Sequence, residues 1–302
     1  MEENLSSQTP LSAPDKLTVP GRGKGLIDVF RQRYLLKLIV KKELRVRYHG
    51  SVLGMMWSYV KPATQFVVYF LAMGVFLALG RNHPGYAVYL FSGMVVINYF
   101  SEILSNATRT LVWNAPLIKK IYLPREMFPV ASIWVAMVHL FPQLLVLLVG
   151  TLAYGYIYQS PIPDFMMFAR SVGAIFLGTL MVTILSLGLG LIFGTFNVFF
   201  RDSENLVDLL LLVAVWMSPV LYPLKMVAEN APAWVYDLYI LNPVTIAVEL
   251  FHYGFWLPIT TAPEHMENLL AMTGLGFLVS FVFLLIGQWV FRRHEGNFAQ
   301  EL

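Results

Sequence analysis

Charged residues are missing from long tracts of this chain and crowded between them. Stretches without Asp, Glu, Lys or Arg cover residues 62–80, 82–101, 127–163, 171–200 and 268–291, and a shorter one covers 209–224. A helix needs roughly 20 mostly apolar residues to cross about 30 Å of hydrocarbon. The pattern therefore predicts an all-α membrane protein with six transmembrane helices. Buried helices of a soluble domain would keep a polar face, which these tracts lack. The shortest tract has only 16 uncharged residues and runs through Ser218-Pro219 to Pro223. It is marginal for a straight crossing unless Asp208 lies at the interface, so a bent or incomplete span is expected there.

The segments between the tracts are patterned too. Over residues 28–48, Arg33, Lys37, Lys41 and Arg45 recur every fourth residue, opposite Leu35, Leu38, Ile39 and Val46. That spacing predicts a basic amphipathic helix lying in the headgroup plane, either as a simple topology anchor or as a docking surface for a cytoplasmic subunit. Residues 105–126 mix Trp113, Pro116 and Pro124 with apolar and basic residues, a composition that fits a short helix better than disorder. Arg201 and Asp202 form a charged turn after the fourth tract, which a solvated helix end would also explain. Between residues 225 and 267, two semi-apolar pieces at 233–241 and 244–255 flank Leu241-Asn242-Pro243. They read as two short helices, re-entrant or on the outer face, because backbone at membrane depth must stay hydrogen-bonded.

Composition agrees with this frame: 57% of the 302 residues are hydrophobic, 13% are charged, and the mean hydropathy is +0.64. Lys and Arg number ten from Arg22 to Lys61, then one, four, one, one, one and two in successive loops. The alternation places both termini, and the loops after the second and fourth spans, in the cytoplasm. Residues 1–24 are rich in Ser, Pro, Gly and charge and read as a disordered tail without the apolar core of a signal peptide. Residues 25–302 form a single transmembrane domain, since no internal repeat and no long hydrophilic stretch interrupts them.

Little of the sequence points to catalysis. Gly23-Lys24-Gly25 is the only Gly-Lys pair and lacks the spacing and hydroxyl residue of a P-loop, so no ATP hydrolysis is expected in this chain. With zero cysteines, thiolate chemistry is excluded. Six histidines show no metal-ligand spacing, and His139, near Pro142, reads as a kink-side or packing residue. Lys61, Glu102 and Arg170 fall near expected span ends, where long side chains snorkel, which argues against a proton relay. Tyr59, Phe66, Tyr69 and Phe70 share one helical face, and Trp216 and Tyr222 lie in the fifth span. Such faces stack on sugar rings, and ordinary helix packing or interfacial belts explain them at least as well.

The run Arg45-Val-Arg47-Tyr48-His-Gly-Ser51-Val-Leu53-Gly54-Met-Met-Trp57, followed by Lys61-Pro62, resembles the start of the transmembrane subunits of type-2 ABC exporters of polysaccharides. Pro124-Arg125-Glu126, Phe199-Phe200-Arg201-Asp202, Ser218-Pro219-Val220 with Tyr222-Pro223, and Leu241-Asn242-Pro243 follow in that family's order. Single motifs of this kind are weak, but five in register on a six-span frame are specific. Teichoic-acid, O-antigen and actinobacterial galactan exporters are the most similar members. The resemblance implies a homodimer in the bacterial plasma membrane, paired with two cytoplasmic ATP-binding subunits that hold ATP and Mg2+. Its cargo would be an undecaprenyl- or similar polyprenyl-linked glycan, with no nucleic-acid partner. Residues 28–48, with Arg33, Lys37, Lys41, Arg45, Arg47 and Tyr48, would be the interface helix. ATPase coupling would fall to Trp113, Leu117, Lys119, Lys120, Arg125 and Glu126, and to Arg201 and Asp202. Residues 225–255 would form outer gate helices, and Trp57, Tyr59, Phe66, Tyr69, Phe70, Trp216 and Tyr222 would line the glycan path.

Three rival readings share parts of this pattern. An exporter of drugs or lipids has the same frame without an open aromatic path. A membrane-embedded glycosyl or phosphoryl transferase needs Asp clusters, for which only Asp202 and Asp208 are available. An ion-coupled carrier needs charges at the midplane.

Overall fold

The computed structural model describes residues 25–121, 123–159, 164–260 and 268–302. The tail expected over residues 1–24 lies outside them. Among the described residues the fold is helical throughout, with no strand. In chain order the helices are α1 (Leu26–Arg31), α2 (Arg33–Tyr48), α3 (Trp57–Tyr69), α4 (Leu79–Asn82), α5 (Tyr86–Trp113), α6 (Ala115–Lys120), α7 (Met127–Ile157) and α8 (Phe165–Phe199). They continue with α9 (Ser203–Trp216), α10 (Leu224–Asn230), α11 (Ala233–Leu241), α12 (Pro243–Phe251), α13 (Leu269–His294) and α14 (Phe298–Glu301).

Among the described residues, five helical segments are long and apolar enough to cross a membrane: Gly54–Phe76, Tyr86–Trp113, Met127–Ile157, Phe165–Phe199 and Leu269–Glu301. The first begins before the expected tract, with a tight turn at Gly54–Met56 leading into α3 and a wider π-helical turn at Phe70–Phe76 ending it. It carries Pro62 inside α3, where the ring removes one backbone donor. The sixth crossing expected over residues 209–224 is not a continuous helix. At 14 residues, α9 rises only about 21 Å, and the chain then breaks at Met217–Tyr222 before α10.

Side chains seal that break. The Tyr86 hydroxyl donates to the Leu221 carbonyl at 2.7 Å and the Tyr89 hydroxyl to the Pro219 carbonyl at 2.8 Å. Asn242 Nδ2 and Thr245 Oγ1 both donate to the Met217 carbonyl, at 3.1 and 3.2 Å. Carbonyls freed by an interrupted helix would otherwise stand unpaired in an apolar interior. Val220 packs onto Gly93, where an added Cβ would lie 3.1 Å from the Val220 Cα. Asn242 also caps α12 by accepting from the Val244 N–H at 3.0 Å, and Pro243 occupies the first turn, which needs no donor. All nine residues of α12 are buried, against α5, α8 and α13.

The core forms around α5, most of whose length is buried between α7, α8, α9 and α12. α13 crosses α8 at Gly188 and Gly287, whose backbones meet so closely that a Cβ on Gly287 would stand 2.2 Å from the Gly188 carbonyl oxygen. Small residues permit such approaches where apolar burial alone gives helices no reason to associate. Gly85, at φ +70°, starts α5 against the Trp256 ring, a conformation and a clearance that both favour glycine.

Candidate functional site

A polar cavity of about 740 Å³ is bounded by the end of α2 and by α3, α5, α7 and α9. Its lining includes Arg47, Tyr48, Lys61, Glu102, Arg109 and His139. Glu102 was expected near a span end, and it stands well inside α5, because that helix runs on to Trp113 instead of yielding to a loop at residue 105. The charges that follow the apolar tract on this helix are paired. Arg47 forms an ion pair with Glu102 and donates to Asn106 Oδ1 at 2.8 Å, and His139 Nδ1 lies 2.6 Å from Glu102 Oε1.

The Glu102 carboxylate accepts from His139 Nδ1, and the Tyr48 hydroxyl bridges His139 Nε2 and Ser58 Oγ, the latter at 2.6 Å. His139 is only 2% exposed, and the packing role expected for it is exceeded by two hydrogen bonds to side chains on other helices. A second ionic group joins α5 to α9. Arg109 donates to Glu204 at 3.2 Å, to Asp208 at 2.6 Å and to Ser105 at 2.7 Å. Asn98, Asn106 and Gln143 also line this space, and each carries a buried polar side-chain atom without a hydrogen-bond partner.

The basic amphipathic pattern is present on α2, with a shifted apolar face. Leu36 and Ile39 are buried against α7, and Arg33, Lys37, Lys41 and Arg45 are exposed. Leu38 and Val46, expected on the apolar side, are exposed as well. Arg47, exposed, and Tyr48, half-buried, were grouped with the interface helix from sequence, and both line the cavity.

At the same end of the bundle, Trp113, Lys119, Lys120, Arg201 and Asp202 are exposed and Leu117 is half-buried. Arg125 and Glu126 differ from these, at 8% and 0% exposure. Glu126 Oε1 accepts from Gln288 of α13 at 3.4 Å, and the Arg125 guanidinium stands 5.8 Å from the centre of the Phe298 ring in α14. Burial lowers the pKa of Arg125, and Glu295 and Glu126 oppose that shift by their charge. This pair therefore fastens the start of α7 to the C-terminal segment and presents little surface to a partner.

The aromatic residues of the first span separate into two groups. Phe66 stacks on Phe70 and meets Phe91 edge-on, and Phe70 stacks on Tyr86, so these rings hold α3 to α5. Tyr69, half-buried, accepts from Gln65 at 3.2 Å. Trp57 is exposed at the cavity rim, Tyr59 is half-buried, and Trp216 is exposed at the end of α9, its carbonyl bound by the Tyr222 hydroxyl. The Glu102–His139 pairing was missed from sequence, and the only signal for it was a carboxylate and an imidazole in otherwise apolar tracts.

Comparison with known proteins agrees with this arrangement. An O-antigen export system permease protein, RfbA, of Klebsiella pneumoniae is 26% identical over 272 residues, covering 89% of this chain and 95% of the relative. Its namesake in Myxococcus xanthus is 26% identical over 279 residues, covering 91% of this chain and 98% of its own. The polysialic acid transport protein KpsM of Escherichia coli is 22% identical over 265 residues, covering 87% and 95%. The family model for the ABC-2 type transporter matches residues 34–256, from α2 through the α12 region. That match takes in the cavity, the interrupted α9 and the buried α12, and the chain belongs to the ABC-2 type transporter family.

Proposed function

We propose that this chain is the permease subunit of an ATP-driven exporter that moves a lipid-linked cell-envelope polysaccharide from the cytoplasm across the plasma membrane. The observation that carries the reading is the near full-length likeness to relatives named for O-antigen export and polysialic acid transport. Two copies would face each other across the first span, where Val60, Val67 and Val68 of α3 and Leu71 and Val75 of the π-helical turn are exposed and apolar. Glycan would pass between them along Trp57, Trp216 and Tyr222, on an undecaprenyl or similar polyprenyl carrier. Two separate ATP-binding subunits would hold ATP and Mg2+ and grip the end of the bundle that carries α2, α6 and the Arg201-Asp202 turn. By the distribution of Lys and Arg, that end and both termini face the cytoplasm.

Force from the ATPase changes the permease only if the partner binds its two conformations with different free energy. In this reading the exposed basic face of α2 and Lys119 and Lys120 of α6 make those differential contacts. The chain itself performs no chemistry on its cargo. The test is co-purification of the tagged chain from native membranes with the products of neighbouring genes. A P-loop ATPase at one-to-one stoichiometry, together with loss of surface polysaccharide on deletion, is the expected result. A chain that purifies alone, from cells whose surface glycan is unchanged by its deletion, refutes the proposal.

A further inference from the structure

α2 touches the bundle through apolar and polar contacts. It lies on α7 through Leu36 and Ile39, while Lys42 donates to Asn114 Oδ1 at 2.5 Å and Asn114 Nδ2 donates to Glu43 at 3.1 Å. Its last two residues carry the contact on into the cavity. Arg47 reaches Glu102 and Asn106 on α5, while Tyr48 reaches His139 on α7 and Ser58 on α3. Four helices therefore meet at one group of polar side chains, and the carboxylate of Glu102 receives both Arg47 and His139.

We infer that Arg47, Tyr48, Glu102 and His139 form a polar joint through which displacement of α2 is transmitted to α3 and α5. The inference rests on the permease reading and adds the residues that carry motion inward from the surface helix. The geometry favours transmission over simple anchorage for two reasons. First, residues 49–53 leave α2 and α3 connected by a short turn that Tyr48 braces by bonding Ser58 across it, so α3 cannot swing independently of Tyr48. Second, the joint borders the cavity beside Arg109 and Asp208, charged groups that offer Glu102 and Arg47 alternative partners in a second arrangement, and an element biased from both ends needs two such arrangements. These are positioning residues, since they act through the helices they hold and not on the cargo.

The test uses the intact complex of permease and ATPase in proteoliposomes or cells, with ATP turnover and polysaccharide export measured separately. Tyr48→Phe removes one hydroxyl and keeps the ring, and Glu102→Gln keeps the shape and removes the charge. Both variants are expected to assemble and to keep ATP turnover within about twofold of the wild type while export falls about tenfold, as loss of a coupling free energy predicts. The exchange Arg47→Glu with Glu102→Arg is expected to recover part of the export lost by either single change, which identifies the two side chains as a pair, while ATP turnover kept as export falls is the readout that a purely structural role would not give. Export and turnover falling in proportion, or a complex that no longer assembles in the Tyr48→Phe variant, overturns the inference, as does unchanged export in both variants. A wild-type complex that exports no glycan overturns the permease reading itself, and the inference with it.

Discussion

Gly287→Ala adds one methyl group at the point where α13 crosses α8. The new Cβ would lie 2.2 Å from the carbonyl oxygen of Gly188 and 3.0 Å from its carbonyl carbon, where ordinary contacts fall between 3.4 and 4 Å. Both neighbours are backbone atoms, so no side chain can swing aside, and the helices must part by about 1 Å. A radial gap of that size forfeits roughly a quarter to a half of each van der Waals well along the interface. The opposed surfaces are extensive, and the loss falls in the range of about 1–3 kcal/mol measured for overpacked cores. Gly274 lies on the same helix with nothing within 4 Å of its Cβ position. Gly274→Ala is therefore expected to lie between neutral and about 1 kcal/mol more stable, the gain that alanine brings to a helix. Thermal unfolding of the purified chain in one detergent, followed by circular dichroism, compares the pair under identical conditions. The reasoning fails if Gly287→Ala unfolds at the wild-type midpoint, or if both substitutions shift it in the same direction.

Three further outcomes follow from the contacts described. Tyr89→Phe strips the hydroxyl from the Pro219 and Tyr222 carbonyls at the break after α9. It should destabilise the chain by about 1–3 kcal/mol, the usual penalty for an orphaned buried acceptor, read as a lower unfolding midpoint and faster proteolysis near Tyr222. Arg125→Ala leaves the buried Glu126 beside Glu295 without their shared cation, and breaking such a group costs about 3–5 kcal/mol. Reduced thermal stability, matched by truncation after His294, is the expected result, and a variant as stable as the wild type refutes the fastening role. Lys119→Glu with Lys120→Glu changes exposed charges on α6. Weaker ATPase association with a reduced salt dependence is expected, measured by surface plasmon resonance at two ionic strengths, and an unaltered affinity removes α6 from the interface.

The sequence by itself determined the class of fold. Hydropathy is a local and nearly additive property, so the uncharged tracts disclosed the five long helices without knowledge of any partner. The weakness of the tract at residues 209–224 was legible for the same reason, and the prolines at 219 and 223 marked where α9 breaks. The motifs shared with a known family lie in order along the chain, and all of them fall within residues 34–256, which the family model matches.

Only the tertiary structure decided which charges belong inside. Arg47, Glu102 and His139 are far apart in sequence, and a charge near the end of an apolar tract looks like a helix end until its counter-ion is placed beside it. With Arg47 paired to it and His139 hydrogen-bonded to it, Glu102 becomes a largely buried member of a network that joins α2, α5 and α7. Arg125 and Glu126 look like exposed coupling charges in a loop, yet contacts with α13 and α14 bury them. The same limit applies to Gly188 and Gly287, which are indistinguishable by composition from the uncrowded Gly150 and Gly274. Pairing and close approach depend on which helix faces which. That is fixed by the packing of the whole bundle, and no local window of sequence contains it.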